Sequence, residues 1–201
     1  MNYEQVFKIF RSKYQHVPLE VFVGDPYKIL VSTLLSSRTK DETTLKAANR
    51  LFLKANTVTK LNLLTEHEIA RLIYPVGFYK TKARHLKMLS QILIDKYNGS
   101  IPKTRNHLMT LPGVGRKTAN LVLNRAFSIP AIAVDTHVHK IANLLGWVKT
   151  TTPEKTEIEL LKILPQQFWS QTNKLFVSIG RQFTTRKKLT QFLVENKLRT
   201  P

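Results

Sequence analysis

Apolar side chains recur at helical spacing along nearly the whole of this chain. Val6, Ile9, Phe10 and Tyr14 share one side of a predicted helix over 3–14. A link over 15–25, with Pro18 and Gly24, reads as non-helical. Pro26 suits the first turn of the next helix, which Tyr27, Leu30, Val31, Leu34 and Leu35 continue until Ser36-Ser37. Ile29 widens its apolar face enough to predict a largely buried element. Thr39 followed by Glu42 has capping-box spacing and predicts a helix over 40–53. Short helices over 61–64 and 66–74 end at Pro75 and Gly77. Ala83, Leu86, Leu89, Ile92 and Leu93 predict a long helix over 78–97, closed by Asn98-Gly99. Further helices are predicted over 106–110, 116–127, 136–145, 154–163 and 166–183. Leu189, Phe192 and Leu193 suggest one more within 185–197. Strand character is confined to 131–134 and no internal repeat is visible. The expected fold class is all-α.

With 201 residues, 42% of them hydrophobic and 22% charged, the chain suits one domain or two small lobes with a real core. Charge changes the picture more. Thirty-two Lys and Arg against thirteen Asp and Glu leave a formal +19, which predicts attraction to a polyanion. No stretch approaches the roughly 18 to 20 apolar residues of a membrane span. Nor does the N-terminus carry a basic start and apolar signal core, so an intracellular protein of cytoplasm or nucleoid is expected. Absence of cysteine excludes disulfides, thiolate catalysis and thiolate metal sites.

Chemistry concentrates in two stretches. Leu111-Pro112-Gly113-Val114-Gly115-Arg116-Lys117 joins two helical segments by a glycine turn that can bend tightly and present its N–H groups. The second helix begins there, and unpaired amides at a helix start attract anions such as a DNA phosphate. Lys117 in that first turn opposes the helix dipole, the kind of local violation that marks functional positions. We expect it partly buried beside Arg116. In its uncharged form such an amine is a nucleophile that forms Schiff bases with sugar aldehydes; otherwise it only neutralises a phosphate. Asp135, eighteen residues after Lys117, opens the helix over 136–145. It is either an ordinary N-cap or the acid/base partner of that amine.

The stretches 111–127 and 132–147 resemble the helix-hairpin-helix, Gly/Pro-rich and aspartate motif of the endonuclease III family of DNA glycosylases. Leu34 to Asp41, Gly77 to Ala83, and Gly180-Arg181 follow in the family's order, so the similarity runs over about 1–183. It implies a helical lobe of six helices over 25–130. A second lobe would combine 1–24 with 131–201, and the active site would lie in the cleft between them. It further implies a bifunctional DNA N-glycosylase and AP lyase, with Lys117 as nucleophile and Asp135 as its carboxylate. DNA contacts would come from Gly113, Val114, Gly115, Arg116, Arg38, Phe78, His137 and Arg181. Arg38 matches a gap-filling residue and Phe78 an apolar wedge; their ordinary alternatives are a phosphate contact and a buried aromatic staple.

The implied partner is duplex DNA carrying damaged bases, with oxidised pyrimidines foremost, or abasic sites, bound by a monomer. Many relatives carry four cysteines holding an iron–sulfur cluster. Here that spacing falls on Thr184, Gln191, Val194 and Thr200, none a thiolate, so no cofactor is expected. A helix within 185–197 is expected to replace the cluster as the staple. The histidines form no metal pattern, and His137 either orients the site or is structural. Two other readings remain open: a monofunctional mismatch glycosylase, which Lys117 disfavours, and a non-catalytic DNA-binding protein.

Overall fold

A computed structural model describes residues 2–199. Twelve α-helices and two 3₁₀ helices form its regular structure, and no strand occurs among the described residues, so the class is all-α. The chain divides into two compact units. One runs from Pro18 to Ile129; the other joins the residues up to Val17 with those from Pro130 onward.

The Pro18–Ile129 unit is built around α2 (Pro26–Ser36). The Asp25 carboxylate caps it, accepting from the Lys28 N–H at 3.0 Å, and Pro26 sits in its first turn. Tyr27, Ile29, Leu30, Val31, Leu34 and Leu35 are all buried, because α3 (Asp41–Lys54), α6 (Tyr79–Tyr97) and α8 (Arg116–Phe127) pack around this helix. Burying each such side chain stabilises the unit by roughly 1.5–3 kcal/mol before ordering costs. α4 (Val58–Leu63) and α5 (Glu66–Ile73) cover α6, and α7 (Arg105–Met109) leans on α8. This unit thus holds seven α-helices where the resemblance implied six.

Two local expectations are corrected here. The link over 15–25 contains a 3₁₀ helix, Pro18–Phe22, whose Leu19 and Phe22 are buried against α2 and α3. An ion pair from Glu20 to Arg125 at 3.3 Å, and a bond from Gly24 N–H to the Arg125 carbonyl, tie it to the end of α8. Residues 18–24 therefore belong with α2 rather than with the N-terminal helix. The capping box expected at Thr39 and Glu42 is also absent: Lys40 precedes α3 with no side-chain cap, because the Thr39 hydroxyl is engaged elsewhere. A complete capping box instead opens α5, between Thr65 and Glu68.

The second unit has an aromatic core. Phe7 of α1 (Tyr3–Ser12) stacks on Phe168 at 4.3 Å, and Phe10 meets Phe176 edge-on at 5.0 Å. α1 packs on α11 (Trp169–Gln182), which also carries α9 (Thr136–Leu144); α10 (Pro153–Ile163) rests on α9. The run 131–134 is a buried connector rather than a strand: its apolar side chains fill the core, and the Asn173 amide donates to the Ala133 carbonyl at 3.0 Å. His139 has a structural part, its Nδ1 lying 2.6 Å from the Thr156 hydroxyl in a network that includes Asn143 and Thr150. α12 (Arg186–Glu195) buries Leu189, Phe192 and Leu193 in the same core, with Phe192 stacked on Phe183 at 4.3 Å.

Candidate functional site

In the Pro18–Ile129 unit, the turn between α7 and α8 is closed by Val114 N–H donating to the Leu111 carbonyl at 3.1 Å. Gly113 sits at φ +78°, and a Cβ there would also meet the His85 ring at 2.7 Å. Both facts demand glycine. Gly115 differs: its φ is −95° and a Cβ would meet open space, so the missing side chain leaves the backbone approachable from outside. Gly115 starts α8 with no side-chain cap, unlike the Asp, Thr and Asn caps of α1, α2, α4, α5, α7, α9, α10 and α12. A helix start whose cap position is a glycine leaves room for an anion there, and the helix dipole favours one. Val114 turns its side chain into the core, and Arg116 is half-buried. Lys117 is exposed rather than partly buried, because the first turn of α8 projects from the packed face that Ala119, Leu121, Val122 and Leu123 bury.

Two neighbouring turns of the same unit present Arg38 and Phe78. Both residues take left-handed backbone conformations, φ 53° and 57°, which non-glycine residues adopt only under constraint. Phe78 is 61% exposed, which excludes the buried staple, and the Arg38 guanidinium lies 5.4 Å above its ring. Tyr79 is the half-buried neighbour, edge-on to Tyr74 at 5.3 Å. A cavity of about 240 Å³ opens here, lined by Leu34, Arg38, Phe78, Lys82, His85 and Gly113 among others. Burial lowers the Lys82 ammonium to a pKa of about 8.

In the other unit, Asp135 caps α9, one carboxylate oxygen accepting from the His137 and Val138 N–H groups at 2.9 Å each. Within its own unit the second oxygen takes no hydrogen bond, and the residue is half-exposed. His137 packs closely against Gly180: a Cβ on that glycine would fall 2.1 Å from the imidazole Nδ1. Arg181, next along α11, is exposed.

Sequence reasoning missed Lys82, His85 and the reason for Gly180. Each acts through a partner 28 to 47 residues away, as with Lys82 and Leu35, and no local pattern announces that.

The positions implied for an iron–sulfur cluster do not fit one. The chain has no cysteine, Thr184, Gln191 and Val194 offer no thiolate, and Thr200 lies outside the described residues. Among the described residues, no group of three or more metal-ligating side chains converges.

The sequence signature of the HhH-GPD superfamily base excision DNA repair proteins matches residues 31–166. Endonuclease III of Thermotoga maritima is 48% identical over 158 residues, covering 79% of this chain and 74% of that protein. Endonuclease III of Rickettsia conorii is 35% identical over 92% of this chain and 88% of its own length. Among solved structures, a non-covalent endonuclease III–DNA complex superposes with a TM-score of 0.81 at 35% identity, covering 92% of this chain and 88% of that one. A trapped endonuclease III–DNA covalent intermediate gives 0.77 at 37% identity, covering 87% and 79%. The glycine turn ahead of α8, the aspartate cap of α9 and the extent of these matches lead to one conclusion: the chain belongs to the HhH-GPD superfamily of base excision DNA repair proteins, in its endonuclease III branch.

Proposed function

We propose that this protein is a bifunctional base-excision enzyme, a DNA N-glycosylase with AP-lyase activity, acting as a monomer on oxidised pyrimidines and abasic sites in duplex DNA. The target nucleotide must leave the stack, because C1′ is shielded inside the duplex; extrusion costs a few kcal/mol and least at damaged bases. Arg38 fills the gap it leaves and Phe78 wedges into the stack, so that together they hold the gap open. The amides at Gly115, Arg116 and Lys117 take a phosphate of the bound strand.

Lys117 Nζ then attacks C1′ as the N-glycosidic bond breaks, and the base departs with the bonding pair and a proton. Asp135 assists deprotonation of the amine and stabilises cationic character on the sugar. Opening of the sugar yields a Schiff base between Lys117 and C1′. That iminium acidifies C2′, so loss of a C2′ proton expels the 3′ phosphate by β-elimination. Water releases the lysine.

The observation that most supports this reading is the exposed Lys117 amine in the first turn of α8, at a helix start whose cap position is the exposed Gly115. Borohydride added during incubation with thymine-glycol duplex is the test. Wild type is expected to give a covalent protein–DNA adduct and Lys117→Ala none. An adduct that survives in Lys117→Ala, or none in wild type, removes Lys117 as nucleophile. A panel of duplexes containing thymine glycol, uracil or 8-oxoguanine identifies the preferred base.

A further inference from the structure

We propose that Lys82 is a positioning residue for strand opening: its ammonium pins the Arg38 turn to the Phe78 turn, so that the gap-filling and wedging side chains meet DNA as one preformed unit. The inference rests on the glycosylase reading above. Lys82 is 7% exposed, the one buried lysine among the described residues. Its Nζ donates to the Leu35 carbonyl at 2.8 Å and the Ser37 carbonyl at 2.5 Å, with the Thr39 hydroxyl at 3.4 Å. Leu35 lies in the last turn of α2, whose carbonyls lack helical partners and favour a cation. Ser37 and Thr39 flank Arg38. The backbone N–H of Lys82 bonds the Phe78 carbonyl at 3.0 Å, so this one residue spans from the Phe78 helix start to the Arg38 turn.

A second link closes the same pair of turns. The Thr39 hydroxyl accepts from Gly77 N–H at 3.1 Å, and a Cβ on Gly77 would lie 2.6 Å from the Arg38 carbonyl. Left-handed backbone at both Arg38 and Phe78 persists only where surrounding structure over-determines it, and these links do so. An apolar side chain of Lys82's volume would avoid the desolvation of a buried charge, but it could not gather three oxygens at one point. Turns ordered before DNA arrives need not be ordered at the moment of binding.

The test compares two substrates. Single-turnover base release from a thymine-glycol duplex requires strand opening, whereas borohydride trapping on a single-stranded abasic oligonucleotide has no stack to open. Lys82→Met is expected to slow the duplex reaction by about ten- to a hundredfold, the effect of a displacement near 1 Å, and to leave single-strand trapping within about twofold of wild type. Gly77→Ala, which drives a methyl into the Arg38 carbonyl and keeps Lys82, is expected to show the same split; it carries the test should Lys82→Met fail to fold. The double variant is expected to lose no more than the worse single one, because both break the same unit. Equal losses on both substrates, or a wild-type duplex rate in either folded variant, would overturn the pin. Failure of wild type to trap on either substrate would instead remove the enzyme reading beneath it.

Discussion

Asp135 combines two roles that substitution can separate. Its carboxylate caps α9 through the His137 and Val138 N–H groups. Asparagine caps a helix as well as aspartate, whereas alanine does not cap and costs about 0.5–2 kcal/mol. Asp135→Asn is therefore expected to melt with wild type and lose base release, while Asp135→Ala melts about 2–4 °C lower for each kcal/mol lost. Calorimetry beside a glycosylase assay reads both; undiminished base release in Asp135→Asn would take the carboxylate out of the chemistry. Lys82 gives a pH-dependent expectation. Its folded pKa of about 8 lies below the ordinary 10.5, so between those values the unfolded chain binds more protons. Lys82's burial therefore weighs against folding fully below pH 8, and the penalty is relieved as pH rises towards 10.5. Urea unfolding of wild type and Lys82→Met at pH 7 and pH 10 checks this: the stability of wild type relative to the methionine variant is expected to rise at the higher pH. The places of Lys117 and Asp135 at helix starts were legible in the sequence because their signal is local, a glycine turn and an N-cap. Lys82 and His85 were not, since Leu35 and Gly113 reach them only through folding.

At the scale of elements, the hairpin separates fold from binding. Gly113→Ala must hold φ +78° with a side chain and strike His85, so it is expected to lower stability by at least about 1 kcal/mol. Gly115→Ala meets open space at φ −95°, so melting is expected to stay near wild type while DNA affinity falls, because the methyl stands where a phosphate would approach. Melting curves and filter binding on both variants test this, and equal affinity in Gly115→Ala would argue against a phosphate there. Periodicity located the helices because burial of one face imposes it. It could not find the 3₁₀ helix Pro18–Phe22, too short for a period, nor show that Thr39 would serve Gly77 in preference to α3. Hydroxyls choose between near and distant partners, and only packing decides which is offered. The apolar run 131–134 shows the converse: burial on every side gives a strand-like pattern without a strand to pair with.

At the scale of the whole molecule, +19 predicts binding dominated by phosphate contacts. Log affinity for a lesion duplex is expected to fall linearly with log salt, with a slope of about −0.9 for each phosphate neutralised, so about five contacts would give roughly −4.5. Titration by fluorescence anisotropy at several salt concentrations measures it, and a slope near zero would contradict an electrostatic grip. The missing cysteines could be read directly, as could the helix over 185–197; its place became clear only when Leu189, Phe192 and Leu193 proved to fill the core around Phe10 and Phe176. By itself the sequence determined what is local or summed: helical periodicity, net charge, the glycine turn, Lys117 and Asp135 at helix starts, and a chain without thiolates. Tertiary structure alone decided the exposure of Lys117, the left-handed turns that carry Arg38 and Phe78, and the pairing of Lys82 with Leu35 and of Gly180 with His137. The physical reason is range. Helix propensity and charge act over a few residues or add along the chain, while close approach and buried hydrogen bonds depend on atoms that meet only after the chain has packed.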